Sequence, residues 1–334
     1  AYIYRPYHAI RGLTNSRGLP TNAIFGFTRM LIKLMEDRSP QYVAMFFDAK
    51  GPTFRHEMYK DYKANRPPMP EDMVVQLPYI KEVSAAFNLP IIEMSGFEAD
   101  DLIGTTARLA EKEGYSIVIV TGDKDFMQLV TDKTAIWDPM KDTTIGLQSI
   151  KEKFGVEPHQ MIDVQGLSGD TADNIPGVPG IGQKTDLSLI KTYRSMQQVY
   201  EKLDTITKKK QRENLENFKD QAFLSRELVT INTRVPVSLD PAKFKVTAPE
   251  RKKLSELFKN LEFRQLQQAF PEQADLSSKD YQAIMNIADL QKLVSRLETA
   301  ERFALDTETT STNPMQANLV GLSFAVCANQ AFYI

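Results

Sequence analysis

From about residue 20 to 150 apolar positions recur in two rhythms: blocks at three- and four-residue spacing, which predict helices, and short unbroken runs, which predict buried strands. The spacing predicts helices over 23–33 and 99–113, and strands over 42–47, 89–94, 116–120 and 134–137. That alternation is expected of an α/β domain with a mainly parallel sheet. Between Asp61 and Asp72 the chain is polar, basic and broken by prolines, so this stretch is expected to stand out from the core as a loop or mobile arch. Residues 160–270 read as helical and strand-poor, with a glycine- and proline-rich interruption at 175–182. A linker is expected over 271–285. A new α/β pattern then starts, with a helix over 287–299 and strands over 302–305 and 319–326. The last of these is expected to lack a closing partner. The start at Ala1 shows no leader layout, so both ends read as fragment ends.

At 334 residues the chain is long enough for about two domains and part of a third. Its 42% hydrophobic and 25% charged content is that of a soluble globular protein. No apolar run approaches bilayer-spanning length, so a membrane role is not expected and a cytoplasmic location is. Cys327 is the sole cysteine, which excludes an internal disulfide framework and a thiolate metal site. The formal net charge of −2 hides an uneven distribution: Lys60, Lys63, Arg66 and Lys208 to Lys210 are locally basic, while the acids gather elsewhere.

Asp48, Glu98, Asp100, Asp101, Asp123, Asp125 and Asp170 each stand at or just after the end of an apolar run, with Asp173 close behind. An unpaired charge at the mouth of a buried strand is costly unless something neutralises it, and divalent cations would. Glu98 and Asp101 are one helical turn apart, Asp170 and Asp173 repeat that spacing, and Asp123 and Asp125 leave a strand two residues apart. An all-oxygen set suits Mg²⁺ or Mn²⁺ rather than zinc, and eight acids exceed what one ion needs, so two ions are expected. Helix caps and solvated acids explain any one of these residues as well, but not Glu98, Asp100 and Asp101 packed together beside an apolar strand.

Gly177, Gly180 and Gly182 lie in a proline-punctuated turn whose N–H groups could hold a DNA phosphate and whose carbonyls could hold K⁺. Lys184 and Thr185 follow with a charge and a hydroxyl. An ordinary helix connection is the competing explanation. Tyr62, Lys63 and Arg66 combine a stacking ring with two phosphate-seeking cations, as single-strand binders do, against the alternative of a solvated loop. His8, His56 and His159 occupy no ligand spacing.

Five segments, Phe47-Asp48-Ala49-Lys50-Gly51-Pro52-Thr53-Phe54-Arg55, Tyr62 to Pro70, Gly96-Phe97-Glu98-Ala99-Asp100-Asp101, Thr121-Gly122-Asp123-Lys124-Asp125 and Gly169 to Thr185, together closely resemble the 5′-nuclease domain of bacterial family A DNA polymerases. The resemblance covers about 1–270. It implies a PIN-like, flap-endonuclease-like parallel-sheet core over 1–160 and a helix-hairpin-helix DNA-binding region over 161–270. It further implies Mg²⁺-dependent cleavage of DNA carrying 5′ flaps, nicks or RNA primers, by a monomer. In that reading the eight acids are metal ligands, Lys63 and Arg66 polarise the scissile phosphate, Tyr62 stacks on a base, and Gly177 to Thr185 grip the duplex. Phe303 to Thr310 and Asn318 to Phe324 resemble the start of the 3′–5′ proofreading domain. This implies an incomplete ribonuclease-H-like segment over 286–334 with Asp306 and Glu308 as metal ligands. Two departures stand out. The aspartate that the family carries just before the segment matching Ala1 to Arg5 is not in the chain, which makes a non-catalytic DNA-binding fragment the alternative expectation. Asp186 also replaces a small apolar residue and is expected to weaken phosphate contact by repulsion.

Overall fold

The structure, a computed structural model, describes residues 3–271, 280–311, 313 and 315–334. The chain divides into two compact units, Ala1–Pro271 and Glu272–Ile334.

In the first unit α1 (Tyr4–Ala9) and α2 (Asn22–Arg38) precede β1 (Met45–Phe46), α3 (Phe54–Met58), α4 (Glu71–Val74), α5 (Leu77–Ala86) and β2 (Ile91–Ile92). Next come α6 (Ala99–Lys112), β3 (Ile117–Val120), β4 (Thr134–Asp138), β5 (Thr143–Ile145) and α7 (Leu147–Phe154). The remainder is helical: α8 (Met161–Ser168), α9 (Gln183–Tyr193), α10 (Met196–Glu201), α11 (Lys209–Asn217), α12 (Lys219–Val229), α13 (Pro241–Phe244), α14 (Arg251–Asn260) and α15 (Arg264–Ala269). The architecture is thus α/β, as its sequence pattern predicts, but the described strands of this unit fall into two separate sheets rather than one mainly parallel sheet. β1 and β2 form a two-stranded parallel ladder, and β3, β4 and β5 form a separate sheet in which β5 runs antiparallel to β4. The expected strand over 42–47 is shortened because its first half is diverted: Tyr42 bridges Lys245 and the Val43 amide donates to the Phe244 carbonyl.

Beside a smaller cluster of Tyr62, Ile175, Leu228 and Val229, two large apolar cores hold this unit. One gathers α2, α5, α14 and α15 around Ile24, Ile80, Leu254 and Phe258, all at 0% exposure. The other joins the second sheet to α7–α12 through Ile136, Ile150, Leu167, Ile190, Met196 and Leu215. The last helices of the 161–270 region therefore pack back on the amino-terminal half. The amino terminus of α2 is not capped by its own Thr21. Buried Gln76 does this instead: its Oε1 accepts the Ala23 and Ile24 amides and its Nε2 donates to Asn22 Oδ1 and the Asp72 carbonyl. Gln76→Leu leaves two amides without acceptors in the core, so it should lower stability by about 1–3 kcal/mol in urea unfolding.

In the second unit β6 (Asp280–Ala283), α16 (Ile287–Thr299), β7 (Ala304–Thr309), β8 (Leu319–Cys327) and β9 (Gln330–Tyr333) form a sheet ordered β6-β9-β8-β7. β8 does have a closing partner. A two-residue turn, with Asn329 at φ 65°, returns the chain as β9, antiparallel to β8 and parallel to β6. β6 also occupies part of the expected linker, whose segment 272–279 lies outside the described residues. Among the described residues no helix is long and apolar enough to cross a membrane.

Candidate functional site

The acids converge because three chain reversals end side by side. α6 starts at the end of the turn after β2, and two acids in its first turn suit the positive end of a helix. The Ala99 amide at that start donates to Asp48 Oδ1 (2.8 Å), which draws the end of β1 to it. After β3, Asp123 Oδ1 accepts the Asp125 amide (3.0 Å), folding the chain so that Asp125 turns inward. Arg5 of α1 braces this loop by donating to the Gly122 carbonyl and Asp138. After α8, Asp170 Oδ1 accepts the Ala172 amide, and residues Asp170 and Ile175 pair across a tight bend.

Burial and neighbouring charge both act on these carboxyls. Burial first, then the charges of Asp123, Glu98 and Asp48, push the Asp100 carboxyl up to about 7. Burial and then Asp123 likewise push Asp125 up to about 7, against a hydrogen bond from Gln165 Nε2 to its Oδ1. For Asp170, burial is outweighed by the hydrogen bond from Lys124 and the Ala172 amide, which hold its carboxyl below the usual range.

Several of the acids are already paired with cations of the chain. Lys63 Nζ lies 2.6 Å from Glu98 Oε1 and 3.7 Å from Asp173 Oδ2; Arg66 pairs with Asp173 Oδ1; Lys124 Nζ lies 2.9 Å from Asp170 Oδ2. Asp101 is enclosed at 0% exposure, and its oxygens accept from Arg55 Nη1 (2.7 Å), Arg55 Nη2 (2.8 Å), the Glu98 amide (3.1 Å) and the Asn232 amide (2.8 Å). The oxygen-only donor chemistry suits a hard divalent cation. Among the described residues no group of three His, Cys, Asp or Glu side chains stands ready-made around a metal position, several of these acids being turned to cations of the chain instead.

The arch differs from expectation. Instead of standing clear, it is pinned to the 171–174 bend: the Lys63 amide donates to the Asp173 carbonyl, Asn65 to the Thr171 carbonyl, and Asn174 to the Asp61 carbonyl. Tyr62 is 3% exposed, with its hydroxyl within hydrogen-bond reach of Glu98 Oε2 (3.2 Å) and Asp173 Oδ2 (3.4 Å), so its ring faces the core and offers no stacking surface to a base. Burial, followed by the Glu98 charge, pushes that hydroxyl up. In the glycine turn the Gly177 amide donates to Ser225 Oγ, so that N–H is not left for a phosphate, and the Gly177 carbonyl accepts from Gln221. Lys184 is exposed and Thr185 half-buried in the first turn of α9, where Gly182 is the N-cap. Asp186 is wholly buried and its carboxyl is pushed up by burial, which places it in the core rather than against a phosphate. In the second unit Asp306 and Glu308 are exposed, two apart on β7 and so on one face. Arg55, Lys124 and Gln165 carry no role in the sequence reading. Lys124 was marked by the acids on either side of it; nothing in the spacing marks Arg55 or Gln165.

Three family models match the chain. Residues 1–155 match the 5′-3′ exonuclease N-terminal resolvase-like domain, 156–252 the 5′-3′ exonuclease C-terminal SAM fold, and 281–334 the 3′-5′ exonuclease domain. The fold is also that of a solved flap endonuclease, bacteriophage T5 D15, crystallised with DNA and metal ions: TM-score 0.55 at 20% identity, over 74% of this chain and 89% of that one. Residues 1–252 thus match 5′-3′ exonuclease domains, and their fold resembles that of flap endonucleases. More particularly, the chain corresponds to the 5′-3′ exonuclease region and the start of the 3′-5′ exonuclease domain of a bacterial DNA polymerase I homologue. It is 39% identical to DNA polymerase I of Pseudomonas aeruginosa over all of its length and 40% identical to that of Bacillus subtilis over 83% of it. It spans 39% and 32% of those relatives' own lengths.

Proposed function

We propose that this chain binds branched DNA at 5′ ends and, in the conformation described, holds it without hydrolysing it. The observation that carries this reading is the pairing of Glu98, Asp173 and Asp170 with Lys63, Arg66 and Lys124, which commits three of the acids to the chain's own side chains. DNA as the partner is supported by the 5′-3′ exonuclease family match and by the DNA in the T5 complex. α8, the glycine turn and α9 would act as the helix-hairpin-helix that follows the backbone of the duplex, with Lys184 and Thr185 facing phosphate. Asp306 and Glu308 would belong to the proofreading portion of the whole polymerase.

A second reading, metal-dependent 5′ nuclease activity, is favoured by the crowding of Asp100 against Asp48, Glu98 and Asp123, a negative concentration beyond what the local lysines offset. Asp48, Glu98, Asp100, Asp123 and Asp125 would hold Mg²⁺ or Mn²⁺, which when bound supplies an acidified water and charge stabilisation at the phosphate. The chain's own part is to present those oxygens and to place Lys63 and Arg66 beside the phosphate.

One experiment separates the readings. Fluorescence anisotropy on a 5′-flap duplex should show binding that persists in EDTA and weakens steeply with salt; Lys184→Ala should flatten the log–log salt slope by about one unit. In parallel, the flap strand is followed on a denaturing gel. Cleavage in Mg²⁺ that EDTA abolishes would replace the first reading by the second, and loss of flap binding under both conditions would defeat both.

A further inference from the structure

A buried contact set behind the pocket centres on Arg55, whose Nη1 also lies 3.6 Å from Glu98 Oε2. Arg55, 2% exposed, spans three segments with one guanidinium: both Nη atoms engage Asp101, Nε donates to the Leu228 carbonyl (2.9 Å), and Nη2 also donates to the Thr230 carbonyl (2.7 Å). Asp101 then fixes two backbone amides, Glu98 on one side and Asn232 on the other. The 228–235 segment continues along α6: Thr105 Oγ1 donates to the Asn232 carbonyl and accepts the Val235 amide. Gly104 permits the approach, since a Cβ there would meet Ile231 Cγ2 at 2.6 Å. Burial opposes the charge on Arg55, and Asp101 more than offsets it, so the fork stays protonated.

We propose that Asp101 is not a cation donor but, with Arg55, a positioning pair that sets the first turn of α6 so that Glu98 and Asp100 face the pocket, and anchors that turn to the segment leaving α12. All four hydrogen bonds to the Asp101 oxygens come from within the protein, and the residue has no exposed surface from which to reach an ion. This rests on the second reading above, that divalent ions enter the pocket.

The test is a double-mutant cycle on Mn²⁺ affinity, measured by the loss of the free-Mn²⁺ electron paramagnetic resonance signal, for the unaltered chain, Arg55→Lys, Asp101→Asn and the pair together. Thermal melts are recorded alongside, and Arg55→Gln stands in if Arg55→Lys does not fold. A positioning pair predicts that each single change weakens Mn²⁺ binding by about 10–100-fold, as outer-shell changes do, and that the double change is no weaker than the worse single one. A loss confined to Asp101→Asn, or losses that multiply, overturns the proposal and makes Asp101 a ligand. Absence of Mn²⁺ binding in the unaltered chain overturns the metal reading itself and this inference with it, whereas a failed cycle on a chain that binds Mn²⁺ overturns only the inference.

Discussion

Arg55→Ala should destabilise the first unit by about 3–5 kcal/mol, because it strands an enclosed carboxylate rather than deleting a surface ion pair. Asp101 has no exposure through which water could replace the lost guanidinium, and the carbonyls of Leu228 and Thr230 lose their donors in the same step. The effect should exceed that of breaking Lys81–Glu93, a pair that is 38% and 44% exposed and worth about 1 kcal/mol or less. Urea unfolding of both variants, monitored by circular dichroism, gives the comparison directly. If Asp101→Leu is added to an Arg55→Met background, both charges leave and the part of the loss due to the unpaired carboxylate should return, while about 1–3 kcal/mol remains because the Glu98 and Asn232 amides lose their acceptor. Equal stability of Arg55→Ala and the unaltered chain would mean that water reaches Asp101 and that its enclosure is not maintained in solution.

What the sequence shows about this site follows from what period and charge can encode. The helices over 287–299 and 99–112 and the strand at 117–120 were visible because their apolar spacing is regular. So was the gathering of acids beside apolar runs: Asp100 responds to Asp48, Glu98 and Asp123 although 75 residues separate Asp48 from Asp123 in sequence. The division of roles within that gathering was not visible. Asp100 and Asp101 are adjacent and chemically identical, yet one is half-buried in the pocket and the other is closed off behind it, because successive residues on a helix point about 100° apart and only one can face Arg55. Tyr62 illustrates the same limit. A tyrosine beside a lysine and an arginine reads as a stacking platform, and only the docking of the 61–66 segment onto the 171–174 bend turns its ring inward. β6 and β9 escape the pattern because Asp280–Ala283 and Gln330–Tyr333 are only four residues each, too short to show a period; the Asn329 turn is the available signal.

The glycine turn gives the other large effect, and it tests which of its glycines serve the fold and which serve a ligand. Gly177 has φ 58°, and a Cβ there would lie 2.3 Å from the Gly169 nitrogen and 2.4 Å from the Ser168 carbonyl carbon, both backbone atoms that cannot rotate away. Gly169 meets the same strand of backbone from the opposite side, with a Cβ position 2.3 Å from the Ile175 carbonyl oxygen. The two segments are tied by the Val178 amide to the Leu167 carbonyl (2.7 Å) and by the paired Asp170 and Ile175. Left-handed backbone costs an alanine about 1–2 kcal/mol, and forcing these segments apart adds about 1–3 kcal/mol, so Gly177→Ala should lose about 2–5 kcal/mol. Gly182 has ordinary extended backbone, and its Cβ position meets nothing within 4 Å, so Gly182→Ala should cost about 1 kcal/mol or less, through the poorer N-cap alone. Because the bend that Gly177 supports also carries Asp170 and Asp173, its replacement should loosen the pocket together with the turn, and flap-DNA affinity should fall in step with stability. A Gly177→Ala chain that keeps its unfolding midpoint but loses DNA binding would reverse the assignment, placing the glycine at the phosphate instead of in the packing of α8 against the turn.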